Sequence, residues 1–172
     1  MKRFLINLAL AIAAFTVQSC IFPQIPFLSA SPNLLLILTF SFGFICGKDA
    51  GMLCGFLCGI LLDLFYSGPF GFYTLFYVCM GYVNGIFTQY YYDDYITLPL
   101  ILSGINDLAY NLYIYIFLFL IRNRLNFLFY LREIIIPEII FTVLVTLLVY
   151  RIFLAITRKM EELEKRRDTD FV

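Results

Sequence analysis

The chain has 172 residues, of which 62% are hydrophobic and 19% aromatic, and its mean hydropathy is +0.90. Soluble domains are about 45–50% apolar, so this composition excludes an ordinary soluble protein and predicts one that crosses a membrane several times. The 12 basic and 12 acidic residues give a net charge of zero, which argues against nucleic-acid binding. Histidine is absent. Because imidazole is the commonest metal ligand and general base, a hydrolase or metalloenzyme is not expected.

The first apolar run extends from Phe4 to Phe22, follows two basic residues, and is long enough to cross a bilayer. We interpret it as an uncleaved anchor helix. The alternative is a signal peptide, because the four residues ending at Cys20 resemble a lipoprotein cleavage box. Gln18 fits that box poorly, but a processed lipoprotein beginning at Cys20 stays open as an alternative.

Glycines recur at every fourth residue from Gly43 to Gly59, and the next step of four reaches Asp63. Positions four apart share one face of a helix, so Gly43, Gly47, Gly51, Gly55 and Gly59 form a smooth stripe. In a bilayer, small residues at this spacing let helix backbones approach closely. We expect the stripe to line a tight contact between helices.

The glycine region is too long for one helix. A helix from Asn33 to Tyr66 would measure about 50 Å, against a hydrocarbon core of about 30 Å. We predict a break at Gly47-Lys48-Asp49 and two antiparallel spans, Asn33–Cys46 and Ala50–Tyr66. The glycines would line the contact between these two spans or the contact with a neighbouring helix.

Three more apolar stretches complete a predicted set of six spans, namely Phe70–Tyr91, Ile96–Ile121 and Ile134–Ile156. The fold class is therefore all-α, a polytopic bundle of six transmembrane helices. Between the last two spans, Leu125–Leu131 is apolar enough to lie along the membrane surface. We divide the chain into an integral membrane domain, residues 1–157, and a charged tail, residues 158–172, into which the last helix extends.

Six spans place both termini on the same side of the membrane. Lysines and arginines are enriched in cytoplasmic segments, and the basic residues near the two termini and at Lys48 favour cytoplasmic ends. Arg122, Arg124 and Arg132 then fall outside, which weakens this orientation without reversing it. The expected localisation is the cell membrane, with multiple passes and both termini cytoplasmic.

Asp63 and Asp107 are the polar residues most relevant to function. A carboxylate inside a bilayer costs several kcal/mol unless it is paired or hydrated, so each must face protein or water. Asp63 lies near one end of its span, where it could bond the adjacent turn, fix helix packing or bind a ligand. Asp107 lies near the middle of its span beside Asn106 and Asn111. It could belong to a buried hydrogen-bond network, bind a partner, or coordinate an ion or substrate.

Catalytic and metal-binding motifs are not apparent in the sequence, and we expect no enzyme activity, metal or cofactor. None of the five cysteines forms a CxxC pair. Cys54 and Cys58 lie one helical turn apart beside the glycine stripe and are interpreted as small packing residues.

One block of the sequence resembles a known family. It contains Gly51 and Gly55, the run Gly59-Ile-Leu-Leu-Asp63, and Gly68-Pro-Phe-Gly71. With the basic N-terminus, a proline-led second span and the charged C-terminal stub, it resembles the bacterial rod-shape-determining protein MreD over nearly the whole chain. The resemblance implies a fold similar to the substrate-binding subunits of energy-coupling-factor vitamin transporters. It brings no catalytic residue, and Gly51, Gly55, Gly59, Asp63 and Gly71 match its recurrent positions.

The same resemblance implies a non-enzymatic scaffold of the bacterial elongation machinery. Such a protein binds the bitopic protein MreC and thereby helps to couple cytoplasmic MreB filaments to the peptidoglycan synthases of the lateral wall. The alternative is a substrate-binding subunit of a vitamin-type transporter. That alternative predicts a pocket lined by Asn106, Asp107 and Asn111.

Overall fold

The structure is a computed structural model in which residues 2–24, 31–66, 69–90, 97–120 and 127–169 are described. Helix is the regular secondary structure throughout these ranges, which confirms the predicted all-α class. The helices are α1 (Lys2–Thr16), α2 (Leu34–Cys46), α3 (Lys48–Phe65), α4 (Phe72–Ile86), α5 (Thr97–Ile114), α6 (Phe127–Tyr130) and α7 (Ile136–Thr169). Short π-helical or 3-10 segments extend α1, α4 and α5, and a π-helical segment, Leu131–Ile135, joins α6 to α7.

Helix α2 occupies the centre of the bundle. All of its side chains from Leu34 to Phe44 are buried, and it contacts α1, α3, α4, α5 and α7. A helix that is apolar on all sides is typical of such an enclosed position. Asn33, the predicted start of the second span, is the N-cap of this helix, because its side-chain oxygen accepts a hydrogen bond from the N–H of Leu36 at 3.1 Å.

The predicted break between the second and third spans is confirmed. Helix α2 ends at Cys46 and α3 begins at Lys48, so Gly47 alone forms the turn. Its backbone has φ 92° and ψ −178°, a conformation that glycine adopts without the steric cost of a Cβ. The glycine at this step of the stripe therefore permits a one-residue connection.

The glycine stripe packs α3 against α4. A Cβ built on Gly51 would overlap the carbonyl oxygen of Gly81, and one built on Gly55 would overlap the carbonyl of Tyr77. Gly59 meets the backbone of Thr74 in the same way. Successive glycines along α3 meet successively earlier residues of α4, so the two helices are antiparallel. The short distances show that their backbones are in direct contact.

The contact between the second and third spans uses only the beginning of the stripe. Near the turn, a Cβ on Gly51 would lie 2.6 Å from the Cα of Gly43, and one on Gly43 would lie 2.7 Å from the oxygen of Gly81. The stripe thus lines mainly the contact with the neighbouring helix α4, the second of the two predicted arrangements. Helix α4 contributes its own glycine step, Gly81 and Gly85, which the sequence analysis did not single out.

The last helix is longer than predicted at its start. Phe127–Tyr130 continues through the π-helical segment into α7 without a non-helical residue, so the described part of the predicted surface connector belongs to this helix instead. No glycine interrupts residues 127–136, and the π-helical turn lies just before Pro137, where a proline ring disturbs regular helical bonding. At its other end α7 reaches Thr169, which confirms that the helix extends into the charged tail.

Three described helices are long and apolar enough to cross a membrane, Leu5–Gln24, Thr97–Phe117 and Leu131–Ile152. Helix α2 is a shorter apolar helix, and α3 and α4 have 18 and 15 residues. Many large apolar side chains lie exposed on the outside of the bundle, including Leu64, Phe65, Leu75, Ile105, Ile140 and Leu148, as expected where lipid is the solvent. The count of six spans stays a prediction.

Several predictions fall on residues outside the described ranges. These are most of the turn at residues 67–69, the acidic loop at residues 93–94 and the arginines at positions 122 and 124. Within the described ranges, Cys54 and Cys58 are fully buried in the main core, in agreement with their interpretation as packing residues.

The backbone contact at Gly55 leads to a prediction about stability. We expect Gly55→Ala to lower the free energy of unfolding by about 1–3 kcal/mol, because the new methyl group forces α3 and α4 apart. Unfolding of the full-length protein in mild detergent measures this. The matched control is Gly104→Ala in α5, where a Cβ would lie 3.7 Å from Val143 Cγ2. That change should be neutral or slightly stabilising, and equal losses for both variants would contradict the role of the stripe.

Candidate functional site

The carboxylate of Asp63 binds the first turn of α4. Its Oδ1 accepts a hydrogen bond from the N–H of Tyr73 at 3.0 Å, and its Oδ2 accepts bonds from the N–H of Thr74 at 3.0 Å and from the Thr74 hydroxyl. The first N–H groups of a helix have no partner within the helix, and the helix dipole favours a negative charge there. Asp63 is therefore an N-cap supplied by another helix, consistent with the first of its predicted roles.

Gly71 explains why α4 needs this external cap. It immediately precedes the helix with φ 91° and ψ −6°, a left-handed conformation that glycine favours, and it has no side chain to cap the helix. The predicted residues Gly51, Gly55, Gly59, Asp63 and Gly71 thus lie together along the α3–α4 contact. Asp107 lies apart from them, on α5.

Asn33 connects three helices at one end of the bundle. In addition to capping α2, its side-chain oxygen accepts a hydrogen bond from the hydroxyl of Tyr77 in α4 at 2.9 Å. Its backbone N–H donates to the Thr142 hydroxyl in α7 at 3.3 Å. Sequence reasoning used Asn33 only as the start of a span. An asparagine directly before a buried apolar helix was the signal for an N-cap.

Helices α4 and α5 are joined by a pair of asparagines. The amide groups of Asn84 and Asn106 exchange two hydrogen bonds, at 2.7 and 2.9 Å. Each amide also donates to the carbonyl four residues earlier in its own helix, which satisfies both side chains although they are buried. Asn106 was recognised in the sequence, whereas Asn84 was missed. Its signal was an amide in the interior of a largely aromatic and aliphatic span.

Polar side chains also face each other between α5 and α7. The hydroxyls of Ser103 and Thr146 lie 3.0 Å apart, Thr142 faces Asp107, and Asn111 faces Glu138. Each step of four residues along α5 is matched by a step of four backward along α7, as expected for antiparallel helices. We call these residues the α5–α7 polar seam: Ser103, Asp107, Asn111, Glu138, Thr142 and Thr146.

A cavity of about 260 Å³ lies at one end of the bundle. Its lining is partly polar and consists of Gln18, Ser31, Asn33, Leu62, Tyr66, Tyr110, Ile134 and Glu138. Asn106, Asp107 and Asn111 do not line this cavity, so it is not the pocket that the transporter alternative predicts. Glu138 connects the cavity to the polar seam, because it lines the former and faces Asn111 in the latter.

Within the described residues, no group of three histidine, cysteine, aspartate or glutamate side chains is arranged to hold a metal ion. The polar groups described above connect helices to one another. Asn33 joins α2, α4 and α7, and other groups join α3 to α4, α4 to α5, and α5 to α7. This distribution is suited to fixing the geometry of a helix bundle.

The position of Asp63 leads to a second prediction. We expect Asp63→Asn to lower the free energy of unfolding by about 1–2 kcal/mol, because the charge at the N-terminus of α4 and one of its acceptors are lost. Asp49→Asn is the matched control, since Asp49 is an exposed carboxylate at the other end of α3. Detergent unfolding of both variants measures the difference. A loss for Asp49→Asn as large as that for Asp63→Asn would refute the capping role.

Comparison with known proteins agrees with this picture of a helical membrane protein. The model of the family described as rod shape-determining protein MreD matches residues 1–160. No curated protein and no solved structure matches the chain. The likeness to vitamin-transporter subunits therefore stays a prediction. The match extends over nearly the whole sequence, including every residue of the α3–α4 contact and of the polar seam, and the chain belongs to the MreD family of rod shape-determining membrane proteins.

Proposed function

We propose that this protein is a non-enzymatic membrane scaffold that binds MreC and helps to couple MreB filaments to lateral peptidoglycan synthesis. The observation that carries the proposal is the family match over residues 1–160. The described residues support it, because their buried polar groups join helices to one another. Both termini would be cytoplasmic, which would place the charged tail on the side of the filaments.

The proposed contact with MreC uses an apolar face that points away from the bundle. On α7, large apolar residues recur at every fourth position and are all exposed, namely Ile136, Ile140, Leu144, Leu148 and Ile152. This face spans about 24 Å along the helix axis, which is most of the thickness of the hydrocarbon core. It could accept one transmembrane helix along its length. We propose that the single transmembrane helix of MreC occupies it.

Association there would depend on close packing of side chains, because lipid removes the usual hydrophobic driving force. The polar seam lies on a different face of α7, where Glu138, Thr142 and Thr146 meet α5. It would hold α7 in a fixed rotation and keep the apolar face directed outward.

The transporter alternative has one observation in its favour, the cavity at the end of the bundle. Its volume of about 260 Å³ lies just below the range of about 300–1,000 Å³ that is typical of small-molecule pockets. A vitamin-sized ligand would therefore fit poorly. We favour the scaffold for this reason and because of the family match.

Affinity purification from native membranes in mild detergent tests the proposed function. We expect MreC, together with peptidoglycan synthases, among the proteins that mass spectrometry identifies. Recovery of an ATPase module and a retained vitamin-sized molecule would instead support the transporter alternative. Purification of an untagged strain in parallel provides the background.

Photocrosslinking tests the proposed face. We expect a photoreactive amino acid at Leu148 to crosslink to MreC, because this side chain is 73% exposed on the α7 face. Leu75 on α4 is the matched control, since it is 63% exposed on another helix and should give no MreC product. Crosslinking from Leu75 but not from Leu148 would contradict the assignment of the face.

A further inference from the structure

The polar seam contains a buried carboxylate whose oxygens accept no hydrogen bond of regular geometry. Asp107 is 0% exposed, and neither Oδ1 nor Oδ2 accepts such a bond from the described part of the chain, although the hydroxyl of Thr142 lies close enough to act on its charge. The other buried carboxylate, Asp63, accepts three hydrogen bonds. A buried charge without compensation is strongly unfavourable in a protein interior and more so in a membrane.

Among the described residues, the groups that interact with Asp107 supply no positive charge. Asp107 and its neighbour Glu138 interact with each other. The other groups that interact with one or both of them are the hydroxyl of Thr142, the amide of Asn111, and the phenols of Tyr77 and Tyr110. None of them is a cation at neutral pH. In sequence, α5 contains no lysine or arginine, and the nearest basic residue after Thr142 in α7 is Arg151, about 13 Å further along the helix.

Glu138 provides a connection from Asp107 to the outside of the bundle. Its carboxyl group lines the cavity and also interacts with the charge of Asp107. Ser31 and Tyr66, two other residues of the cavity lining, are exposed. Water and small ions that enter the cavity can therefore reach Glu138, which lies one helical turn from Thr142 on α7.

We propose that Asp107 is the central ligand of a monovalent cation site in the α5–α7 polar seam, which is loaded through the cavity past Glu138. The oxygen atoms available are both carboxylate oxygens of Asp107 and the hydroxyl of Thr142, and the carboxylate of Glu138 lies on the route between them and the cavity. Oxygen ligands of this kind suit hard cations such as Na⁺. The site is separate from the apolar α7 face proposed to bind MreC.

The charge balance favours a monovalent ion. Asp107 is the one fully buried carboxylate of the seam, so a single positive charge neutralises it. Glu138 is only partly buried and lines the cavity, where water can reach its carboxylate, so it needs no second charge. A bound cation would also hold α5 and α7 together at the middle rung of the seam, between Ser103–Thr146 and Asn111–Glu138.

The test is thermal unfolding of the full-length protein in mild detergent, in NaCl or in N-methyl-D-glucamine chloride at equal ionic strength and pH 7.5. We expect Tm to rise saturably with Na⁺, by about 5 °C or more at 100 times the half-saturating concentration. Parallel titrations with K⁺ and Li⁺ define the selectivity. Equilibrium binding of radioactive Na⁺ provides a second readout that does not depend on stability.

Variants of the seam assign the site. Asp107→Asn should abolish both the Na⁺-dependent rise in Tm and Na⁺ binding, and it should be at least as stable as the natural protein without Na⁺ because no buried charge remains. Thr142→Val should raise the half-saturating Na⁺ concentration about tenfold. This variant still tests the site if Asp107→Asn does not fold. Ser103→Ala, on the neighbouring rung, should leave the Na⁺ titration unchanged.

Two outcomes would overturn the proposal. If Tm is the same in Na⁺ and in the organic cation but rises as the pH falls, Asp107 is neutralised by a proton and the seam holds no metal ion. If Ser103→Ala and Asp107→Asn reduce the Na⁺ response equally, the response comes from a general effect of the ion on the protein.

Discussion

Direct contact between the backbones of α3 and α4 is the constraint on which the rest of the bundle depends. Lipid does not drive apolar helices together, so their association requires close van der Waals packing. Gly51, Gly55 and Gly59 remove the side chains that would keep the two backbones apart. Gly43 brings the start of the same contact to α2, the enclosed helix. These three helices therefore form a tight core, and α1, α5 and α7 pack around it.

A smooth stripe of glycines allows close approach but does not by itself fix how far one helix slides along the other. Asp63 supplies that information, because it lies on the same face of α3 and binds the first turn of α4. A slide of one turn would leave its charge and the N–H groups of Tyr73 and Thr74 without partners. The sequence block from Gly51 to Gly71 thus encodes both the closeness and the register of one helix pair.

Local features were predictable from the sequence, and long-range pairings were not. The break at Gly47, the start of α2 at Asn33 and the stripe ending at Asp63 follow from glycine geometry, helix capping and spacing. Periodicity shows which positions share a face but not which helix meets that face, so α4 could not be chosen over α2 as the main partner of the stripe. The pairs Asn33–Tyr77 and Asn84–Asn106 are 44 and 22 residues apart in sequence. Because most helix faces here are equally apolar, hydrophobic patterning could not identify them.

The two buried aspartates show that the same residue type can have different roles within one membrane protein. Asp63 is saturated by three donors from α4, so its charge is compensated within the protein and its role is to join helices. Asp107 faces a hydroxyl and a second carboxyl group, which together cannot compensate its charge. The polar groups that join α3 to α4 and α4 to α5 are satisfied, so the packing of those helices does not depend on an uncompensated charge. The cation that we propose at Asp107 would supply this compensation from outside the chain, and the cavity lined by Glu138 would be its route of entry.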